Sequence, residues 1–72
     1  MAIDKITIPA ARKNVGITQA ELAKRCGVSE STVGNWERYI TEPTVSQAKK
    51  IATAVGLGID DISFLPSNTV KP

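Results

Sequence analysis

The chain of 72 residues contains no histidine, a single cysteine and one each of tryptophan, tyrosine and phenylalanine. Without histidine it lacks the usual general base, and with one cysteine it forms neither an intrachain disulfide nor a cysteine and histidine zinc site. So few aromatic side chains argue against an aromatic-lined ligand cavity. We therefore expect no cofactor, no metal and no small-molecule ligand. An enzyme is the least favoured class, because no nucleophile, base and orienting group converge.

Long apolar stretches are also missing. The first thirteen residues, MAIDKITIPAARK, hold no run long enough for a signal peptide, and no later segment approaches a membrane span. The lone cysteine, Cys26, stands at an apolar helix position and is interpreted as a small core residue in a reducing compartment. We expect a cytoplasmic protein that is not attached to a membrane.

The length and composition favour one small helical domain. A chain this short buries only about 60% of the surface that its unfolded form exposes, so its core must be compact. Hydrophobic residues make up 42% of the chain and are mostly small aliphatics. Nine basic and seven acidic residues give a net charge of +2, which permits a nucleic-acid partner without requiring one. We predict a single domain over 1–66 and a frayed C-terminal tail over 67–72.

Capping residues mark where helices begin and end. Thr18 and Glu21 fit a capping box, with Ile17 and Leu22 at the two hydrophobic staple positions, and Gly27 can take the left-handed conformation that ends a helix. A second helix follows almost at once, because Ser29 is a good cap and Val28 with Val33 repeats the staple spacing. A third helix is predicted from a capping box at Thr44 and Gln47 to Gly56.

The ends of the domain give weaker signals. The pattern over 10–15 predicts a helix that has Pro9 in its first turn and ends at Gly16. The segment 59–62 predicts a single helical turn. The segments 3–8 and 62–65 both place apolar residues two apart, at Ile6 and Ile8 and at Ile62 and Phe64, so a minimal strand pair joining the termini is also predicted.

These segments together resemble the helix-turn-helix domains of the phage repressor and Cro type, the XRE family. The resemblance is carried by ITQAELAKRCGVSESTVGNWER and PTVSQAKKIATAVGLGIDDI, and it covers roughly residues 8 to 62. It implies an all-α, five-helix lambda-repressor-like bundle whose second and third helices read double-stranded DNA, with dimers meeting paired half-sites. Tyr39 departs from the pattern, because the family commonly has glycine there.

The helix over 29–38 would then be the one that enters the major groove. With Val33 and Trp36 facing inward, the predicted base-reading residues are Ser29, Glu30, Ser31, Thr32 and Asn35. Asn35 is the strongest of these, because one amide offers a donor and an acceptor together to an adenine edge. Gly34 costs helix stability, which suggests that DNA or a neighbouring helix comes close there, unless it is an uncompensated weakness.

Several of these residues have plainer explanations. Ser29 is better explained as a cap with base contact secondary, and Thr32 as a residue that fills the first turn. Glu30 stabilises any helix at that position and would otherwise accept a hydrogen bond from cytosine. Trp36 keeps helical register with Val33, so we assign it to the core rather than to base stacking.

The resemblance also implies backbone contacts and a supporting ion pair. It implies a DNA-phosphate contact for Gln19, whose alternative explanation is a solvated surface glutamine. The other predicted DNA-phosphate residues follow from their positions: Arg38 and Tyr39 at the end of the reading helix, and Thr41 and Thr44 near the N-terminus of the next helix. Arg12 and Glu37 match a family pairing that would orient the reading helix, although a charge count alone favours two independent solvated charges.

The sequence thus predicts a sequence-specific DNA-binding regulator, a repressor or Cro-like switch from a bacterial phage or mobile element, acting as a homodimer on an operator. The alternative is that the same fold serves as a protein-interaction module, such as an antitoxin or the partner of another regulator. Salt dependence of duplex binding separates the two, because only phosphate contacts make DNA affinity fall steeply with ionic strength.

Overall fold

The computed structural model describes residues 5–64 and consists of four α-helices, one 3₁₀ turn and two short strands. In chain order these are β1 (Ile6–Thr7), α1 (Ile8–Asn14), α2 (Gln19–Cys26), α3 (Glu30–Glu37), α4 (Val45–Val55), the 3₁₀ turn (Ile59–Asp61) and β2 (Ile62–Ser63). The predicted tail at 67–72, the domain boundary at residue 66 and the outer ends of the two predicted strands lie outside the described residues.

Each α-helix begins at a hydroxyl side chain that accepts a hydrogen bond from the backbone N–H three residues later. The four capping residues are Thr7, Thr18, Ser29 and Thr44. Three of them were predicted. The first helix starts two residues earlier than its pattern suggested, because Thr7 caps it by accepting from the Ala10 N–H at 3.2 Å and Pro9 is accommodated in the first turn.

The two predicted capping boxes have different outcomes. At α4, Thr44 accepts from the Gln47 N–H at 3.1 Å and the Gln47 side chain accepts from the Thr44 N–H at 2.9 Å, so the box is complete. At α2, Thr18 accepts from the Glu21 N–H at 3.1 Å, but the Glu21 carboxylate faces Arg25 at 3.9 Å. The second half of that box was wrongly predicted, because an arginine one turn on attracts the same carboxylate.

The helices end in one shared geometry. After α2, the Gly27 N–H bonds to the Lys24 carbonyl and the Val28 N–H to the Ala23 carbonyl, with Gly27 left-handed at φ 72°. This is the Schellman arrangement, and α1 and α4 end in the same way at their own glycines. The end of α3 has the same hydrogen bonds, but the left-handed position is occupied by Tyr39, at φ 61°, instead of a glycine.

The two ends of the described chain meet in a small parallel sheet. Ile6 pairs with Ile62 and Thr7 with Ser63, which confirms the predicted strand pair. The predicted count of five helices was wrong: the last helical segment is a three-residue 3₁₀ turn. Ile62 is already extended at φ −114° and ψ 138°, because the backbone after the turn pairs with β1 instead of extending a helix.

The core lies where α1, α2, α3 and α4 meet. Its largest fully buried side chains are Trp36, Ile8, Leu22, Ile51, Ile62 and Val33. Cys26 is also buried, as its apolar position predicted. Within residues 5–64, no helix combines the length and the apolar character that a membrane crossing requires. This core fixes α3 through one face and leaves its other face at the surface.

Candidate nucleic-acid interface

The surface of interest is built by α2 and α3, which are joined by a turn of only three residues, 27–29. The left-handed Gly27 reverses the chain, and Ser29 caps the next helix at once. Val33 is fully buried and Trp36 is 2% exposed, as predicted from their helical register. These two side chains hold α3 against the rest of the core, so the opposite side of α3 is the one available to a partner.

A polar network ties α3 to both preceding helices. Arg12 of α1 donates from Nε to Glu37 Oε2 at 2.8 Å and from Nη2 to Oε1 at 3.3 Å. Its Nη1 also donates to the Ile17 carbonyl at 3.0 Å. The side chains of Arg12 and Glu37 are only 12% and 7% exposed, so this is a nearly buried ion pair and not a pair of solvated charges.

Gln19 joins the same network, a contact that the sequence did not predict. Its Nε2 donates to Glu37 Oε1 at 2.8 Å, from the first turn of α2 to the last residue of α3. The residue is half-buried rather than a freely solvated surface glutamine. No local signal reveals this contact, because the two residues are 18 positions apart and each has a satisfactory local role.

The first turn of α3 presents its polar groups outward. Ser29, Glu30 and Ser31 are exposed. Ser29 accepts from the Thr32 N–H at 3.2 Å, and the two hydroxyl groups lie 2.9 Å apart. The cap explanation for Ser29 is therefore supported, while half-buried Thr32 shares a hydrogen bond with that cap.

One turn later, Asn35, the strongest predicted base-reading residue, is half-buried and makes one side-chain hydrogen bond to a nearby residue. Its Oδ1 accepts a hydrogen bond from Arg38 Nη2 at 3.3 Å. Gly34 is buried beneath the same guanidinium: a Cβ at Gly34 would lie 3.3 Å from Arg38 Nη1 and 3.8 Å from Cζ. The group next to this glycine is thus the side chain of Arg38, the residue directly after α3, and not a neighbouring helix.

The remaining predicted phosphate residues follow α3 or begin α4. Arg38, Thr41 and Thr44 are exposed, and Tyr39 is half-buried. Thr44 also caps α4, so its hydroxyl already accepts one backbone hydrogen bond. Arg38, Tyr39 and Thr41 thus lie in the stretch that leads out of α3, and Thr44 lies at the start of α4.

Comparison with known proteins identifies the architecture. The sequence model of the helix-turn-helix family matches residues 9–62. The chain belongs to the helix-turn-helix family. An uncharacterized HTH-type transcriptional regulator of Methanothermobacter thermautotrophicus is 39% identical to it over 61 residues, which cover 83% of this chain and 88% of that protein.

Two solved structures share the helix-turn-helix fold of this chain. The P22 c2 repressor, in complex with synthetic operator 9T in the presence of Tl⁺, superposes with a TM-score of 0.70 at 38% identity, covering 74% of this chain and 80% of that one. The N-terminal DNA-binding domain of SinR from Bacillus subtilis superposes with a TM-score of 0.67 at 26% identity, covering 74% and 78%.

Basic residues away from α3 line an open cleft of about 380 Å³ between α2 and α4. The cleft is lined by Arg25, Lys49, Lys50, Thr53 and Ala54. Arg25 donates to the Ala54 carbonyl at 3.4 Å, in the last turn of α4, where backbone carbonyls favour a cation. We therefore assign Arg25 a structural role, in which it binds a carbonyl at the C-terminal end of α4.

The buried thiol of Cys26 lies near the same cleft. Burial raises the pKa of Cys26 above its ordinary value, and the charge of Lys50 offsets part of that rise. A thiol with a raised pKa is mostly protonated near neutral pH and is a poor nucleophile. Cys26 therefore serves the helix-turn-helix core by packing.

Proposed function

We propose that this chain is a transcription regulator that binds a specific site in double-stranded DNA by placing α3 in the major groove. The observation that carries this proposal is the two-sided character of α3. Val33 and Trp36 are buried, while Glu30 and Ser31 are exposed on the surface that leads to Asn35. An α-helix fits the width of the major groove, and short polar side chains on its outer face suit base edges.

The base-reading set is Ser29, Glu30, Ser31, Thr32 and Asn35. The exposed groups of the first turn are the first to reach base edges when a recognition helix enters by its N-terminal end. Glu30 accepts from cytosine N4 and the serine hydroxyls bond to either kind of base edge. Asn35 supplies the two-sided amide contact to adenine, which discriminates against the wrong base by about 1–3 kcal/mol.

The DNA backbone is held by Gln19, Arg38, Tyr39, Thr41 and Thr44. Gln19 keeps a second amide N–H for a phosphate after donating one to Glu37, and it lies at the positive N-terminal end of α2. The Arg12 and Glu37 pair sets how far α3 stands from this phosphate contact, because Glu37 bonds to Gln19 as well as to Arg12. The hydrogen bonds among Arg12, Gln19 and Glu37 thus both orient α3 and hold the glutamine that contacts the DNA phosphate.

The regulator acts as a homodimer on a two-fold symmetric operator and represses by occupying it, in the manner of a repressor or Cro-like switch in the cytoplasm. Support comes from the P22 c2 repressor, a relative of similar fold whose structure contains an operator. Two-fold operators mirror two-fold protein dimers, with half-sites about one helical turn of DNA apart. Gel filtration without DNA and a titration of the operator with protein would give the stoichiometry, expected at two chains per site.

Selection of duplexes from a random pool tests the proposal directly. We expect an enriched motif with two related half-sites, and an affinity whose logarithm falls linearly with the logarithm of salt concentration. Charge replacement of Arg25, which lies off the proposed interface, is the matched control for replacement of Arg38. An unenriched pool with no salt-dependent duplex binding would overturn the proposal and favour a protein-interaction module.

A further inference from the structure

We propose that Arg38 is a positioning residue that fixes the orientation of the Asn35 amide and thereby determines which base edge α3 accepts. This inference rests on the proposed function and goes beyond it, because it concerns how one reader is oriented. The starting point is the contact between Arg38 Nη2 and Asn35 Oδ1 at 3.3 Å. Asn35 lies half-buried in the last turn of α3, and Arg38 is the exposed residue that directly follows it.

The chemistry of the two groups makes the contact directional. A guanidinium carries only hydrogen-bond donors, whereas an asparagine amide has a carbonyl oxygen at one corner and an NH₂ group at the other. Arg38 therefore selects the amide rotamer in which Oδ1 faces it. Rotation of the amide by 180° would bring its NH₂ group against the N–H groups of Arg38, two sets of donors without an acceptor.

The absence of a side chain at Gly34 leaves room for the Arg38 guanidinium. It is buried, and the atoms nearest to the position of a Cβ there are Nη1, Nη2 and Cζ of Arg38, at 3.3, 3.7 and 3.8 Å. A Cβ at residue 34 would displace the guanidinium from its present position by a few tenths of an ångström. The cost of a glycine inside a helix is thus connected to the placement of Arg38, and through Arg38 to Asn35.

The orientation has a consequence for base preference. A carbonyl oxygen has two lone pairs, so Oδ1 can accept from Arg38 and from an adenine N6 amino group together, while Nδ2 donates to adenine N7. An amide free to rotate could instead turn its donors toward guanine, whose major-groove edge offers only acceptors. Arg38 should therefore increase the preference for adenine over guanine at the base pair that Asn35 reads.

A double-mutant cycle on base preference tests this inference. The full chain is used as wild type, Arg38→Met, Asn35→Ala and the double variant. Each is measured on four duplexes: the selected duplex and its three single-base-pair variants at the position that Asn35 reads. We expect Arg38→Met to reduce the adenine-to-guanine affinity ratio at least fivefold in the wild-type background and to leave it unchanged in the Asn35→Ala background. The ratio cancels any uniform loss of affinity from the missing charge.

An arginine that only contacts phosphate gives a different result. It would lower the affinity for all four duplexes by the same factor in both backgrounds, and this outcome would overturn the inference while leaving the proposed function intact. Failure to select any duplex would instead count against the proposed function.

The free protein provides a test that needs no DNA. We expect the side-chain amide signals of Asn35 in a ¹⁵N-edited spectrum to shift in Arg38→Met and to stay unchanged in the matched control Arg25→Met. Retention of the wild-type Asn35 signals in Arg38→Met would overturn the positioning role whatever the protein binds.

Discussion

Gln19 Nε2 and Glu37 Oε1 lie 2.8 Å apart, and this hydrogen bond connects the first turn of α2 to the last residue of α3. Arg12 bonds to the same carboxylate from α1. One acidic side chain therefore holds three helices in register. The orientation of α3 relative to α1 and α2 therefore depends on this carboxylate as well as on the apolar anchors Val33 and Trp36.

Replacement of Arg12 by methionine should destabilise the fold by about 3 kcal/mol, because it leaves the nearly buried Glu37 carboxylate without its cation. Chemical denaturation with urea measures the change. The matched control is Glu21→Gln, which removes an ion pair at 3.9 Å between half-exposed side chains and should cost less than about 0.5 kcal/mol. Equal losses for the two variants would show that burial of the Arg12 and Glu37 pair has no energetic consequence.

Glycine at residue 39 should give a more stable protein than alanine there, by about 1 kcal/mol. Tyr39 occupies the left-handed position of the Schellman end of α3 at φ 61°, where any Cβ is strained and glycine is not. Comparing glycine with alanine separates the backbone effect from the loss of the half-buried tyrosine ring. Thermal unfolding of both variants checks the difference, and a less stable glycine variant would refute the backbone explanation.

The two capping sequences should respond differently to loss of their third helical residue. Gln47→Ala removes a side chain that accepts from the Thr44 N–H at 2.9 Å, and it should cost about 0.5–1 kcal/mol. Glu21→Ala removes only a long contact to Arg25 and should cost a few tenths. Urea unfolding of the two variants side by side decides the matter, and a larger loss for Glu21→Ala would mean that its capping box forms in solution.

Stability should depend on Cys26 at alkaline pH. Burial raises the pKa of the folded thiol above that of the unfolded chain, about 8.5, so the folded state holds the proton more tightly. The contribution of this group is fully present below about pH 8.5 and is lost as the pH rises through the folded pKa. The stability difference between wild type and Cys26→Ala should therefore stay constant from pH 6 to 8 and shrink above that range. A constant difference up to pH 10 would contradict a raised pKa.

Much of the fold follows from local signals in the sequence. Residues within one or two helical turns of each other determine three of the helix caps, the glycine that ends α2, and the burial of Val33 and Trp36. Such signals act through backbone hydrogen bonds and helical register, which sequence spacing reveals directly. The pairing of β1 with β2 was also predictable, because apolar alternation occurs at both ends of the domain.

The contacts that position the candidate site were harder to predict. The contact of Gln19 with Glu37 crosses 18 residues, and the position of the Arg38 guanidinium over Gly34 is a matter of side-chain conformation, which residue spacing does not give. The wrong helix count has the same origin, since the backbone after residue 61 is determined by a strand at the other end of the chain. Long-range partners compete with local propensity, and the sequence alone does not show which of them wins.

The most direct test of α3 as the reading helix is the binding of wild type and Asn35→Ala to the selected duplex and to every single-base-pair variant of it. The account predicts that Asn35→Ala loses about 1–3 kcal/mol of discrimination at one base pair in each half-site and keeps the wild-type preference at all others. Unchanged discrimination at every position, or an equal loss at all of them, would contradict a base-reading role for Asn35 and with it this placement of α3 in the major groove.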